Sequence, residues 1–251
     1  TISFLIILGG IGFVTINSFV VIKKKKLQNL SITSKFSLLI TFFLLTFGTI
    51  LFLIFEYNNP STLGNMGFLD KFINSFFQSV TLRTAGFNTV PLGNIKPATV
   101  FISYIFMFIG ASPGSTGGGI KTTTFGILIL YAFGVLKRKE YVEVFKRRID
   151  WELINKALAI VVISIFYIVV VTTIILSIES FPTDKVIYEV LSAFSTTGLS
   201  MGITAGLGII SKLILVVTMF IGRLGPMTVA LAFTSNKTSS IKYPKEDILI
   251  G

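Results

Sequence analysis

The sequence contains no cysteine and no histidine. Disulfide frameworks, thiolate or imidazole metal sites and histidine-based triads are therefore excluded. Charge is scarce as well: Asp, Glu, Lys and Arg make up 13% of the 251 residues, against ~25% in a soluble domain. Only eleven residues are acidic, and none pairs with another inside an apolar run as acid–base catalysis needs. What is abundant is apolar. The chain is 52% hydrophobic, carries 25 phenylalanines and has a mean hydropathy of +0.85. This is the composition of a membrane protein.

The net charge of +11 admits two explanations, nucleic acid or cytoplasmic loops. Its distribution favours the second. Fifteen of the 22 basic residues lie in three clusters, at 23–35, 137–156 and 237–245, each flanking long apolar stretches. The positive-inside rule places such clusters in the cytoplasm, so no nucleic-acid partner is expected. Segments 56–71 and 179–189 are less basic and should face outside. The chain opens directly into apolar residues that stop at the lysine run 23–26, which reads as a span caught after its start, hence a fragment.

The stretch GASPGSTGGGIKTTTF, residues 110–125, has the look of a phosphate-binding loop. Gly114 and Gly119 are five apart, followed by Lys121 and Thr122. A Walker A loop needs the lysine directly after the second glycine, and here Ile120 intervenes. Its surroundings also differ, since apolar runs at 99–109 and 125–136 flank it. Each is too short to cross a bilayer, which takes ~20 helical residues. Together they cross, with the glycine segment at membrane depth, where irregular backbone must be buried in protein or line a water-filled cavity.

Two pairs of short matches share one offset. Gly86 of TLRTAGF and Gly198 of FSTTGL are 112 residues apart, as are the two copies of MFIG that end at Gly110 and Gly222. Agreement on one offset predicts an internal repeat. In each unit an apolar span, 36–55 or 154–178, leads into an external loop and a short half-apolar segment, 69–82 or 185–195. A turn with one glycine follows, 84–89 or 196–204, and a second apolar span, 98–136 or 209–233, returns inside. The short segments hold about three helical turns and cannot span, so they must enter and leave from one side. Gly9-Gly10-Ile11-Gly12 resembles Gly222-Arg223-Leu224-Gly225. Either residues 1–22 close an earlier repeat, or the glycines are a helix-packing motif.

A short helix ending at mid-membrane directs its carbonyl end toward the cavity beyond it. The loop after it has small uncharged side chains, and glycine supplies the positive φ that turns successive carbonyls toward one axis. Rings of such oxygens replace a cation's hydration shell. Neither loop contains lysine or arginine. Arg83, just before the first loop, is expected behind it as a brace, with Glu189 as a possible partner.

TLRTAGFNT, GASPGSTGGGIKTTTF, STTGLSMGIT and GRLGPMTVALAF together resemble the membrane subunits of the Trk/Ktr/HKT potassium transporters, in family order over essentially the whole chain. The resemblance implies an all-α membrane protein in which repeats of span, pore helix, filter loop and span surround a cation pore. Residues 1–22 would be the last helix of an earlier repeat, 23–136 the third repeat with its broken inner helix, 137–236 the fourth, and 237–251 a cytoplasmic tail. Filter residues would be Thr84, Ala85, Gly86 and Phe87 with Thr196, Thr197, Gly198 and Leu199, binding K+ through backbone oxygens as the only metal. The resemblance also implies that the glycine-rich break is an intramembrane gate below the filter, comprising Gly110, Ser112, Gly114, Ser115, Thr116, Gly117, Gly118, Gly119 and Lys121. Arg223 would lie in the passage; the alternative pairs it with carbonyl ends. Lys121 either snorkels toward the cytoplasm or donates to the loop's carbonyls.

The implied activity is potassium uptake across the plasma membrane by a multi-pass, non-enzymatic protein. No cofactor is expected, and Na+ enters as a coupling or competing ion. Implied partners are membrane lipid, a second pore subunit in a homodimer and a cytoplasmic nucleotide-binding regulatory ring. The competing reading is a sodium- or proton-coupled secondary transporter with discontinuous helices; a membrane-anchored ATPase fits less well.

Overall fold

The structure is a computed structural model describing residues 1–21, 30–139, 141–145, 147–226 and 228. The basic clusters at 23–26 and 237–245, the end of the last apolar run and the tail 237–251 lie outside the described residues. Nearly all the ordered elements are helical. Helices α1 (Ile2–Ile11) and α2 (Phe13–Val21) are followed by α3 (Ile32–Glu56), α4 (Phe68–Thr81), α5 (Pro97–Phe108) and α6 (Thr122–Leu136). After a short hairpin come α7 (Trp151–Ile178), α8 (Thr183–Phe194) and α9 (Ile209–Leu224). A single 3-10 turn precedes α5, at Leu92–Asn94, and another precedes α9, at Thr204–Gly206.

Among the described residues, two helices have the length and hydropathy of membrane spans, α3 with 25 residues and α7 with 28. At 1.5 Å per residue they reach about 37 and 42 Å, beyond the ~30 Å hydrocarbon layer. Ser31 starts α3 by accepting the Ser34 N–H at 3.1 Å, a side-chain cap that replaces a missing helical partner. Phe36, Ile40, Leu44 and Phe52 of α3 are buried, while Leu39, Phe42, Phe43 and Ile54 are exposed. The helix is apolar on both faces, as a helix between protein and lipid must be.

Short helix α4 packs against α3 at Gly48. A Cβ there would meet Ser79 Oγ and come within 2.7 Å of the Phe106 ring. Ser79 Oγ donates to the Leu45 carbonyl at 3.0 Å, so a polar contact as well as packing fixes the short helix on the span. The sequence places α4 and α8 within two residues of where they begin and end.

Each inner helix is capped from a distance. Lys96 N–H, at the start of α5, donates to Glu56 Oε1 at 2.9 Å, and Thr99 Oγ1 donates to the same oxygen. At α9, Gly208 N–H and Ser211 Oγ donate to Glu179 Oε1 at 2.8 and 2.6 Å. Lys96 and Gly208, like Thr99 and Ser211, are 112 residues apart. In both units a carboxylate at the end of the preceding span satisfies the orphan N–H of the helix that follows. The Ser211 hydroxyl and the Gly208 N–H, with the nearby Lys212 charge, hold the Glu179 carboxyl below the usual carboxylate range.

Two elements depart from the sequence reading. Between α6 and α7 lies an antiparallel hairpin, β1 (Val142–Val144) with β2 (Arg147–Ile149), paired Val142 to Ile149 and Val144 to Arg147. Alternation in YVEV puts Val142 and Val144 inside, a local strand pair within an otherwise all-α fold. The first apolar run, read as one helix over 1–22, breaks at Gly12, where φ is 92° and ψ 145°. Gly225 ends α9 with φ 90° and ψ 133°. The two glycines share position in their GxxG motifs and share backbone conformation.

Candidate functional site

Helices α4 and α8 each end in a loop with the same backbone signature. Thr84 has φ 65° and Gly86 77°; Thr196 has φ 56° and Gly198 85°. Positive φ at a β-branched residue is a genuine outlier costing of order 1–3 kcal/mol. Its recurrence at equivalent positions means that surrounding contacts impose it. In the first loop, Thr81 Oγ1 donates to the Phe87 carbonyl and accepts the Phe87 N–H at 2.9 Å. The second loop is tied to its helix differently. Thr197 N–H reaches the Ser192 carbonyl at 2.8 Å, and the Ser195 and Thr197 hydroxyls are 2.6 Å apart.

The two loops meet backbone to backbone. A Cβ on Gly86 would strike the Thr197 carbonyl oxygen and lie 3.4 Å from Gly198 Cα. One on Gly198 would lie 3.7 Å from Gly86 Cα. Glycine is needed at residue 86 for both conformation and space; at residue 198 conformation alone requires it.

The glycine-rich break sits directly against the start of both loops. Gly118 N–H donates to Thr196 Oγ1 at 2.9 Å, and a Cβ on Gly117 would collide with Thr84 Oγ1. The neck of the break is closed by a parallel bridge between Ile109 and Ile120, where a Cβ on Gly110 would meet the Gly118 carbonyl. Its other limb is anchored to the first helix pair. Ser112 N–H donates to the Gly10 carbonyl at 3.0 Å, and Phe13 N–H to the Gly114 carbonyl at 2.9 Å. That second contact uses the N–H freed by the break at Gly12. Ser112 Oγ also accepts from Ser37 and lies 3.1 Å from Thr122 Oγ1.

Of the two roles open for Lys121, the structure has the ammonium donating to the Gly117 carbonyl at 2.7 Å. Arg223, exposed near the end of α9, interacts electrostatically with Lys121. Arg83 is buried, but its partner is not Glu189. Its Nη2 donates to Thr41 Oγ1 of α3 at 3.2 Å, whereas Glu189 receives Ser200 and Thr204. The side chain at the end of α4 turns back onto the helix that α4 packs on, and Glu189 serves its own loop.

A cavity of roughly 440 Å³ joins these parts, bounded by Gly9, Gly10, Thr84, Ala85, Phe87 and Thr116. The larger groove, roughly 720 Å³, is lined almost wholly by apolar side chains of α5, α6 and α7, with Ile109, Ile120 and Leu191 of α8. The expected residues of the two loops and of the break lie close together, whereas Ser115 and Lys121 make direct hydrogen bonds only within their own segment and Arg223 is linked to the break only through its charge near Lys121. Sequence reading missed Thr81 and Ser195 as fasteners of the loops. A hydroxyl at the last turn of each short helix was the available signal.

Residues 1–242 match the family described as TrkH, cation transport protein. The chain belongs to this family. It is 38% identical over its full length to the Ktr system potassium uptake protein B of Bacillus subtilis and of Vibrio alginolyticus, covering 56% and 55% of those proteins. It is 37% identical to the potassium/sodium uptake protein NtpJ of Enterococcus hirae, with 100% of this chain and 56% of that protein matched. The chain thus spans about half the length of the relatives it matches. Its fold is similar to the crystal structure of the potassium transporter TrkH from Vibrio parahaemolyticus, with a TM-score of 0.75 at 19% identity, over 92% of this chain and 51% of that one. As a member of the TrkH family, the chain is a multi-pass protein of the plasma membrane, and its apolar α3 and α7 are membrane spans.

Proposed function

We propose that this chain contributes two of the filter loops and the gate of a potassium uptake pathway. The observation that carries the reading is the backbone contact of two equivalent glycine loops, each entered through a strained threonine. Such loops present carbonyl oxygens without any cationic side chain, the chemistry that replaces a cation's water shell. In this reading Thr84 to Phe87 and Thr196 to Leu199 line the filter. The segment from Gly110 to Lys121 closes the passage beneath them by donating a backbone N–H and packing its glycines on Thr84 and Thr196. Arg223 adds a positive charge on the same route, where an intramembrane guanidinium is expected to face water or the protein interior.

The relatives' names supply the ion, potassium, and one adds sodium as the competitor to measure. Two relatives are named as parts of a Ktr system, which supports a partner subunit. The basic stretch 137–156, with its hairpin, is the cytoplasmic surface proposed to meet a nucleotide-binding regulatory ring, and a homodimer is proposed for the pore subunit. The test is Gly198→Ser in proteoliposomes. The K+/Na+ flux ratio should fall while assembly is retained; an unchanged ratio in assembled protein contradicts the filter assignment.

A further inference from the structure

One carboxylate touches a filter loop, and the pathway described above gives it no role. Glu189 lies on α8 and is 6% exposed. Its Oε1 accepts the Ser200 hydroxyl and lies 2.9 Å from Thr204 Oγ1. Thr204 Oγ1 is 2.7 Å from Ser200 Oγ, which in turn accepts the Gly202 N–H at 2.9 Å. The carboxylate thereby gathers the whole limb that follows Gly198 and Leu199. Among the described residues it has no ion-pair partner. A buried carboxylate without a cation is costly, and the charge-assisted hydroxyl contacts are what offset it.

The first loop has no carboxylate strut; a neutral amide of α4 reaches it instead, Gln78 Nε2 donating to Thr89 Oγ1 at 3.4 Å. The residues 112 positions earlier are Phe77, Asn88 and Leu92, which provide neither a carboxylate nor a hydroxyl. That limb is held by Thr81 on Phe87 and by Asn88 Nδ2 on the Val90 carbonyl at 3.2 Å. The limb after Gly198, where φ is 85°, depends on Glu189 for its direction.

We propose that Glu189 is a positioning residue for ion selectivity: its carboxylate, through Ser200 and Thr204, fixes the outer limb of the second loop and so the aim of the Gly198 and Leu199 carbonyls. The inference rests on the filter reading of that loop. Selectivity of a carbonyl ring follows the number and placement of its oxygens, so a released limb passes the competing ion more readily.

The test compares Glu189→Ala, Glu189→Gln and the double variant Ser200→Ala/Thr204→Val in proteoliposomes, with Gly198→Ser alongside. K+ and Na+ fluxes are read per assembled protein, with KM and turnover for K+ separated. Glu189→Ala and the double variant should each lower the K+/Na+ ratio roughly tenfold, about the factor carried by one charge-assisted hydrogen bond. Glu189→Gln, which keeps an acceptor oxygen, should retain more of the ratio than Glu189→Ala. A merely structural role would reduce the amount assembled and leave the ratio of the remaining protein at the wild-type value, which overturns the proposal. Should Glu189→Ala fail to assemble, the double variant decides, because its two residues lie on the limb surface. A ratio moved by Gly198→Ser and by neither of the others refutes the role of Glu189 alone; a ratio moved by none refutes the filter reading with it.

Discussion

Replacing Lys121 with methionine removes a charged side chain that ties the glycine-rich segment to itself across a turn. Its ammonium donates to the Gly117 carbonyl at 2.7 Å, and Gly117 packs on Thr84 at the start of the first loop. A hydrogen bond from a charged donor contributes about 1.5–3 kcal/mol. Lys121 is only half-buried, so solvent screening reduces this to about 1–2 kcal/mol. If that contact exists in the closed arrangement and is lost on opening, the closed-to-open ratio should fall by a factor of roughly 5–30. Tracer rubidium uptake into proteoliposomes, measured per assembled protein, should rise by that factor until opening ceases to limit it. The K+/Na+ ratio should stay put, since Lys121 makes no hydrogen bond to either filter loop. Lys121→Arg, which keeps a cationic donor, should remain near the parent flux. Equal or lower flux in assembled Lys121→Met protein would refute the assignment of this segment as the gate.

The remote caps separate by burial. Glu56 accepts from Asn59 at 2.6 Å, Thr62 at 2.7 Å and Lys96 N at 2.9 Å, besides Thr99, so Glu56→Gln should cost about 2–4 kcal/mol, read as a lowered Tm in detergent. Glu179 is half-buried and its carboxyl is held below the ordinary range; its contribution is present above the unfolded-state value and vanishes as pH falls through the lowered folded value. The Tm difference between wild type and Glu179→Gln should accordingly close in acid and open toward neutral pH; a difference independent of pH would contradict the charge-based cap. Orientation is checked by single cysteines in a chain without native ones: Thr183→Cys should react with an impermeant reagent from outside and Lys139→Cys should not.

Long-period signals were legible in the sequence. Spans α3 and α7, short helices α4 and α8, and the interruption between α5 and α6 follow from run lengths that either reach or fall short of a bilayer. The equivalence of Gly86 and Gly198 was legible in their shared offset, although spacing cannot reveal that the two would meet or that the Thr197 carbonyl would occupy the place of a Gly86 side chain. Contacts between distant residues were not readable. Glu56 caps a helix forty residues on, and Arg83 chooses Thr41 over Glu189 because α4 packs on α3. The hairpin at 142–149 has strands of three residues, too short for alternation to stand out within a basic connection. The break at Gly12 was visible as a motif but not as a kink, since glycine inside an apolar helix also serves close packing.

If the two glycine loops form a filter, cations bind between their carbonyl oxygens. Anomalous scattering from thallium, a potassium mimic, in crystals of the assembled protein tests it most directly. A peak coordinated by backbone oxygens of residues 84–87 and 196–199, and lost in the presence of excess potassium, is the expected result. A peak bound elsewhere, with these loops making no contact to it, would refute their assignment as a filter.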